Sequence, residues 1–162
     1  MSPELSVALP FYNEAAGVAA VVTGLTAHLA AATVDYQLVV VDDGSTDGTG
    51  SALRALAAAE PRLTVVTVPA NRGYGRGIRA GLDAATGDII GYLDGDGQIA
   101  PADLLRTYRV LQAGGGDFAK ARRLTRGDSR SRRLVSWTFN LCFRWLFHVE
   151  ALDVNAKPKL FR

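Results

Sequence analysis

The chain has 162 residues, 48% hydrophobic and 21% charged, with a single cysteine, Cys142; this suits one soluble domain with a real core and excludes a disulfide framework. The lone cysteine also suits a reducing compartment. The net charge of +2 conceals an asymmetry, because residues 1–100 carry 5 Lys/Arg against 11 Asp/Glu, whereas residues 120–162 carry 11 against 3. An acidic half suits a metal and a basic half suits phosphates or an anionic surface, although either is also the ordinary composition of a solvated face.

Met1-Ser2-Pro3-Glu4 has no basic segment followed by an apolar stretch, so no secretion signal is expected. Leu5 to Pro10 reads as a buried strand. Val18, Val21, Val22, Leu25 and Leu29 then recur at helical spacing, which predicts a helix over roughly 14–32. Leu38-Val39-Val40-Val41 is the continuous β-branched run of a strand covered on both faces. Turn chemistry from Asp42 to Gly50 leads into an Ala/Leu helix ending near Ala59. Leu63 to Val68 is a third strand. Asn71 to Gly77 is a glycine-rich loop entering a helix that ends near Gly87, and Asp88 to Leu93 is a fourth strand. Pro101 opens a helix to about Ala113, stopped by Gly114, Gly115 and Gly116. Asp117 to Ala121 is a candidate fifth strand. The alternation predicts an α/β fold: a Rossmann-like, largely parallel sheet flanked by helices, with ligands at the carboxyl ends of the strands.

Acidic residues gather at those ends. The first strand runs into Pro10-Phe11-Tyr12-Asn13-Glu14, the second into Asp42-Asp43-Gly44-Ser45-Thr46-Asp47, and the fourth into Asp94-Gly95-Asp96-Gly97-Gln98. Three acidic ends on one sheet edge repel each other unless a cation or a donor-rich ligand lies among them. Asp94 and Asp96 are the sharpest pair. Glycine between and after them lets both carboxylates turn to one point, and hard oxygen ligands in a loop suit Mg²⁺ or Mn²⁺. The competing reading is a pair of turn aspartates, but the buried strand before them and the two other acidic ends favour the metal. One of Ser45, Thr46 and Asp47 is expected to cap the following helix, which leaves Asp42 and Asp43 free to accept from base N–H groups or ribose hydroxyls. Gly73-Tyr74-Gly75-Arg76-Gly77 is neither Gly-x-Gly-x-x-Gly nor Walker A and follows the third strand, which argues against a nicotinamide cofactor. Arg72, Arg76 and Arg79 are equally consistent with phosphate contact and with solvent.

Four stretches, in order, resemble family 2 glycosyltransferases of GT-A fold, and their polyprenyl-phosphate (dolichol-phosphate-mannose-synthase-like) branch in particular. They are Pro10–Glu14, Val41–Asp47, Asn71–Gly75 and Leu93–Gln98. The resemblance implies that Pro10, Tyr12 and Glu14 line the nucleoside pocket, that Val41, Asp42 and Asp43 hold base or ribose, and that Gly95 lies close to the nucleotide. It places Asp94, Asp96 and Gln98 at the metal, Arg123 at the diphosphate or acceptor phosphate, and Lys159 as a basic residue on the acceptor side. Lys157-Pro158 stands where the family has Gly-Phe. Residues 1–125 then form a nucleotide-sugar-binding core, and 126–162 form a basic, aromatic helix and the start of the acceptor side of the same domain. The family continues beyond such a sequence, often into transmembrane helices, so the chain reads as C-terminally shortened.

The implied reaction is an inverting, metal-dependent displacement of a nucleoside diphosphate from the anomeric carbon. The metal and Arg123 would neutralise the leaving group, and Asp94 and Asp96 would hold that metal. A hydroxyl acceptor needs a general base; Asp153 is the only obvious late candidate, and a structural role suits it as well. A phosphate acceptor is already anionic, which favours polyprenyl phosphate. The alternatives are a saccharide or other soluble hydroxyl acceptor, and a non-catalytic nucleotide-sugar-binding module.

Arg122, Arg123, Arg126, Arg130, Arg132 and Arg133 precede an apolar helical pattern over 134–149, in which Ser136, Asn140, Arg144 and His148 form one polar stripe. Those 16 residues span roughly 24 Å, short of a hydrocarbon core of roughly 30 Å, and Arg144 lies within them, so no transmembrane helix is expected here. The helix either lies in a membrane interface, with its tryptophans and arginines at head groups, or covers the sheet or a partner subunit. His148 reads as a helix-surface histidine. The expected partners are a nucleotide-diphosphate sugar, a polyprenyl-phosphate lipid and a membrane surface, with no nucleic acid. The expected location is cytoplasmic, at the inner membrane face for a lipid acceptor. Donor base, donor sugar and oligomeric state stay open.

Overall fold

The computed structural model describes residues 2–122, 130–148 and 153–162. Strands β1 (Leu5–Phe11), β2 (Tyr36–Asp43), β3 (Leu63–Val68) and β4 (Ile89–Tyr92) alternate with helices α1 (Val18–Ala31), α2 (Thr49–Ala59) and α3 (Tyr74–Asp83). Then come α4 (Pro101–Ala113), β5 (Phe118–Lys120), α5 (Arg130–Phe147) and β6 (Lys159–Phe161). The six strands form one sheet in the order β3-β2-β1-β4-β6-β5. This is the α/β sheet flanked by helices that the alternation of elements predicts.

The sheet is largely parallel, as expected, with antiparallel pairing at one side. β1 pairs in parallel with β2 and β4, and β2 with β3. β6, which the sequence reading did not anticipate, inserts antiparallel between β4 and β5. It is three residues long and buries one apolar side chain completely, Leu160, too short a run to register as a strand by periodicity. Gly91 makes its insertion possible, because a Cβ there would overlap the Lys159 carbonyl and the Leu160 side chain.

Two predicted helix bounds shift for a stated reason. Residues 14–17 form a turn, with α1 starting at Val18, because the amides of Glu14 and Ala15 donate to Thr49 Oγ1 and Asp47 Oδ2. α3 ends at Asp83 because the Thr86 and Gly87 amides are drawn to Gln37 Oε1 (3.0 Å) and Ser6 Oγ (2.8 Å) on the neighbouring strands.

The two faces of the sheet are packed differently. The main core lies on the side of α1, α2 and α4, where Val18, Val22, Leu25, Leu29, Leu53, Leu104 and Tyr108 cover Leu5, Val7, Leu9, Leu38 and Val40. On the other face α3 covers a small cluster of Val39, Val41 and Val68. It approaches closely because its inner positions are glycines: a Cβ at Gly81 would lie 2.7 Å from Ala8 Cβ and 2.9 Å from Val41 Cγ2. Chain order reverses at β1, which has β2 on one side and β4 on the other. The carboxyl ends of these three strands therefore flank the crevice where open α/β sheets bind ligands.

Candidate active site

The loops after β1 and β2 are laced together. The Asn13 amide donates to Ser45 Oγ, and Asn13 Oδ1 accepts from the Thr46 amide at 2.9 Å. Asp47 accepts from the amide and hydroxyl of Thr49, the first residue of α2, at 2.9 and 2.5 Å. The N-cap itself is Gly48, without a side-chain cap hydrogen bond, so none of the three expected candidates caps α2. Asp47 binds its first residue from one position earlier, and these hydrogen bonds hold its carboxyl below the usual aspartate range. Gly44, at φ 73°, lets the loop turn against Ala70 and Asn71.

Asp42 and Asp43 close β2, and strand alternation sends them to opposite faces. Asp42 turns toward α2, accepts from the Ser45 amide at 3.0 Å and lies against Gly50. Asp43 turns toward α3, against Gly77 and Pro10. Its Oδ1 is the one buried side-chain oxygen without a hydrogen-bond partner among the described residues. Burial, and then the neighbouring Asp42 charge, raise its pKa. Asp42 is thus satisfied within the loop, whereas Asp43 carries an acceptor that a ligand donor would satisfy. Val41 is wholly buried beneath α3 at Gly81 and shapes the floor. Pro10 is buried, Glu14 is half-buried, and Tyr12 is exposed beside this crevice.

Asp94 and Asp96 follow β4 after the buried Leu93. Gly95 is pressed against the end of β1: a Cβ would lie 2.7 Å from the Phe11 ring and from the Pro10 carbonyl. Gly97 adopts φ 73°, and Asp96 Oδ1 accepts from the Gln98 amide at 3.0 Å. Gly97 thus takes the left-handed turn, whereas the space beside Gly95 is occupied by Phe11 and Pro10. Two carboxylates and the Gln98 side-chain amide are hard oxygen donors. Among the described residues no three His, Cys, Asp or Glu side chains gather into a cage. Such a donor set fits Mg²⁺ or Mn²⁺ completing its shell with phosphate and water.

Asp94 is also held by partners the sequence reading missed. The Tyr74 hydroxyl, at the start of α3, and Lys157 Nζ, at 2.5 Å, both donate to Asp94 Oδ1. Lys157 Nζ lies 4.1 Å from the Tyr74 ring centroid. Burial, and then the hydrogen bond to Asp94, push the Tyr74 phenol far above its usual range. Beyond this group opens a cleft of about 670 Å³ lined by Asp94, Gln98, Arg106, Lys120, Arg122 and Lys157 among others. Lys159, the expected basic residue, lies on β6 with its Nζ 5.6 Å from the Tyr92 ring centroid, while Lys157 reaches the aspartate. Arg123 lies outside the described residues. Arg72 and Arg76 are exposed, and Arg79 pairs with Asp83 on the surface of α3. The Asp153 carbonyl accepts from Lys120 Nζ at 2.9 Å.

The sequence model of glycosyl transferase family 2 matches residues 6–159. The chain belongs to this family. Among its relatives, the undecaprenyl-phosphate 4-deoxy-4-formamido-L-arabinose transferase of Serratia proteamaculans is 35% identical over 140 residues, covering 85% of this chain and 42% of that protein. The Aeromonas hydrophila enzyme of the same name is 35% identical over 160 residues, covering 98% and 48%. This family 2 chain therefore spans less than half the length of these curated relatives. Among solved structures it is similar to Mycobacterium tuberculosis glucosyl-3-phosphoglycerate synthase in complex with UDP, with a TM-score of 0.72, 27% identity and coverage of 98% and 56%. It is also similar to a Pyrobaculum calidifontis mannosyltransferase in complex with GDP-Man and Mn²⁺, with a TM-score of 0.62, 28% identity and coverage of 76% and 36%.

The signal that could have found Lys157 in this family 2 chain was its place in Lys157-Pro158-Lys159. Lys159 is taken into β6, so the basic residue just before the strand is the one left at its end, beside Asp94.

Proposed function

We propose that this chain is the donor-binding part of a glycosyltransferase that moves a sugar from a nucleoside diphosphate to a polyprenyl phosphate, with inversion. The observation that carries the reading is Asp94-Gly95-Asp96 at the switch point of the sheet, between the unsatisfied Asp43 oxygen and a cleft walled by Lys120, Arg122 and Lys157. Asp43, with Pro10, Tyr12 and Glu14 around it, receives the nucleoside. Asp94, Asp96 and Gln98 hold Mg²⁺ or Mn²⁺, which when bound acts as a Lewis acid for the departing diphosphate. The basic cleft orients an anionic acceptor, and Arg123 extends that charge. One acceptor phosphate oxygen forms the new bond to the anomeric carbon on the face opposite the leaving group, and the bond to the diphosphate breaks. The acceptor arrives as an anion, so no general base is required, in keeping with Asp153 serving through its carbonyl to hold Lys120. The P. calidifontis complex with GDP-Man and Mn²⁺ and the undecaprenyl-phosphate transferases among the relatives support donor, metal and acceptor in turn. Peripheral contact with a membrane, through α5, completes the proposal.

The test is incubation with Mn²⁺, radiolabelled UDP- and GDP-sugars and undecaprenyl phosphate. Label entering the organic phase is the expected outcome. Label found only on added saccharides would favour a hydroxyl acceptor. Donor binding without turnover, in this chain and in a longer one, would leave a binding module.

A further inference from the structure

Asp94 is engaged from two sides at once. Tyr74 from the start of α3 and Lys157 from the segment before β6 both donate to its Oδ1. The Lys157 ammonium also stacks on the Tyr74 ring, which closes the set. The pair is shielded, with side-chain exposures of 18% for Lys157 and 28% for Asp94. A divalent ion approaching Asp94 therefore meets a cation already seated on the same carboxylate. Displacing that cation would leave it beside the incoming ion in a partly enclosed cleft, where like charges are poorly screened. Among the described residues, the other carboxylate on the cleft wall, Asp103, is already paired with Arg106 at 3.1 Å. A diphosphate changes this balance, because its charge compensates both the ion and the displaced ammonium.

We propose that Lys157 occupies the divalent ion's place on Asp94 in the free chain, so that the ion enters together with a nucleoside diphosphate and not ahead of it. The inference rests on the metal–diphosphate reading of Asp94 and Asp96. It makes Lys157 a positioning residue that sets the order of binding. Once displaced, its ammonium faces the phosphates in the cleft.

The test compares the 162-residue chain with Lys157→Met and Lys157→Gln, each checked for native circular dichroism. Free Mn²⁺ is followed by electron paramagnetic resonance without nucleotide, then with UDP, GDP or dTDP. Without nucleotide, the variants are expected to bind Mn²⁺ tighter than the parent by on the order of tenfold; with the matching diphosphate, that gap should close or reverse. Lys157→Gln keeps a polar group at the cleft wall and carries the comparison if the methionine variant folds poorly. Equal or weaker Mn²⁺ binding by the folded variants without nucleotide overturns the proposal while leaving the metal site intact. Absence of Mn²⁺ binding in all three chains with every diphosphate overturns the metal site itself.

Discussion

Single carboxylates carry the sharpest consequences. Asp96 is exposed, and its one side-chain hydrogen bond among the described residues is local, from the Gln98 amide, so Asp96→Ala should leave the fold intact while abolishing metal-dependent nucleotide binding. Titration calorimetry with Mn²⁺ and the matching diphosphate measures this, and an unchanged affinity would remove Asp96 from the metal. Asp43 is buried, and its pKa is raised from the ordinary value of 3.8, first by desolvation and then by Asp42. The folded state therefore holds this proton more tightly than the unfolded chain, so the contribution of Asp43 to stability is greatest in acid and falls as pH rises through the shifted value. Asp43→Asn keeps the shape and removes the charge. It should raise the melting temperature at pH 7, by about 2–4 °C for each kcal/mol gained, with the gain shrinking toward pH 4, while weakening nucleotide binding. Asp47 shifts the opposite way but is common to both chains and cancels in the comparison. A variant melting below the parent at pH 7 would show that Asp43 is satisfied in the fold. The sequence made Asp42 and Asp43 legible as a pair at a strand end. It could not show which was already satisfied, because that depends on Gly50 and Gly77 in helices far along the chain bringing one carboxylate under α2 and the other under α3.

Elements were legible where each carried its own apolar period, and illegible where a neighbour decided. β2 with its continuous buried run and α4 with Pro101 at its start stand where the sequence puts them. β6 escaped because it is stabilised by pairing on both edges and not by its own composition. α3 shows how the close fit that positions Tyr74 and Asp43 is achieved. An alanine at Gly81 gains about 1 kcal/mol of helix propensity, but its Cβ would lie 2.7 Å from Ala8 Cβ, an atom with no flexible end to yield. Overpacking of that kind costs typically 1–3 kcal/mol, so the steric term wins. Gly81→Ala should lower the urea midpoint despite its better helix former, and should weaken nucleotide binding as α3 lifts from the sheet. A higher midpoint would mean that α3 is free to move outward without cost.

At the scale of the whole molecule, the proposed function divides metal and phosphate between the acidic sheet edge and the basic end of the chain, which includes α5. Seven apolar side chains of that helix, Val135, Trp137, Phe139, Leu141, Trp145, Leu146 and Phe147, are exposed. Among the described residues no helix is long and apolar enough to cross a membrane, and 18 residues span about 27 Å. An interfacial position remains for a helix bearing Arg130, Arg132, Arg133 and Arg144 in its sequence, each basic residue contributing about 1 kcal/mol at an anionic surface. The chain contains two tryptophans, Trp137 and Trp145, and both lie on α5, so selectively excited tryptophan fluorescence reports on this helix alone. Vesicles containing phosphatidylglycerol should shift the emission to the blue and carry the chain into the pellet, and added salt should weaken both effects. Pure phosphatidylcholine vesicles should do neither to the same degree. A blue shift that appears on concentrating the protein without lipid, together with a dimer in sedimentation velocity, would instead assign the exposed face to a second copy of the chain. With neither lipid nor self-association moving the emission, α5 would play no part in holding the active site near a lipid acceptor, and the basic cleft would have to meet that acceptor unaided.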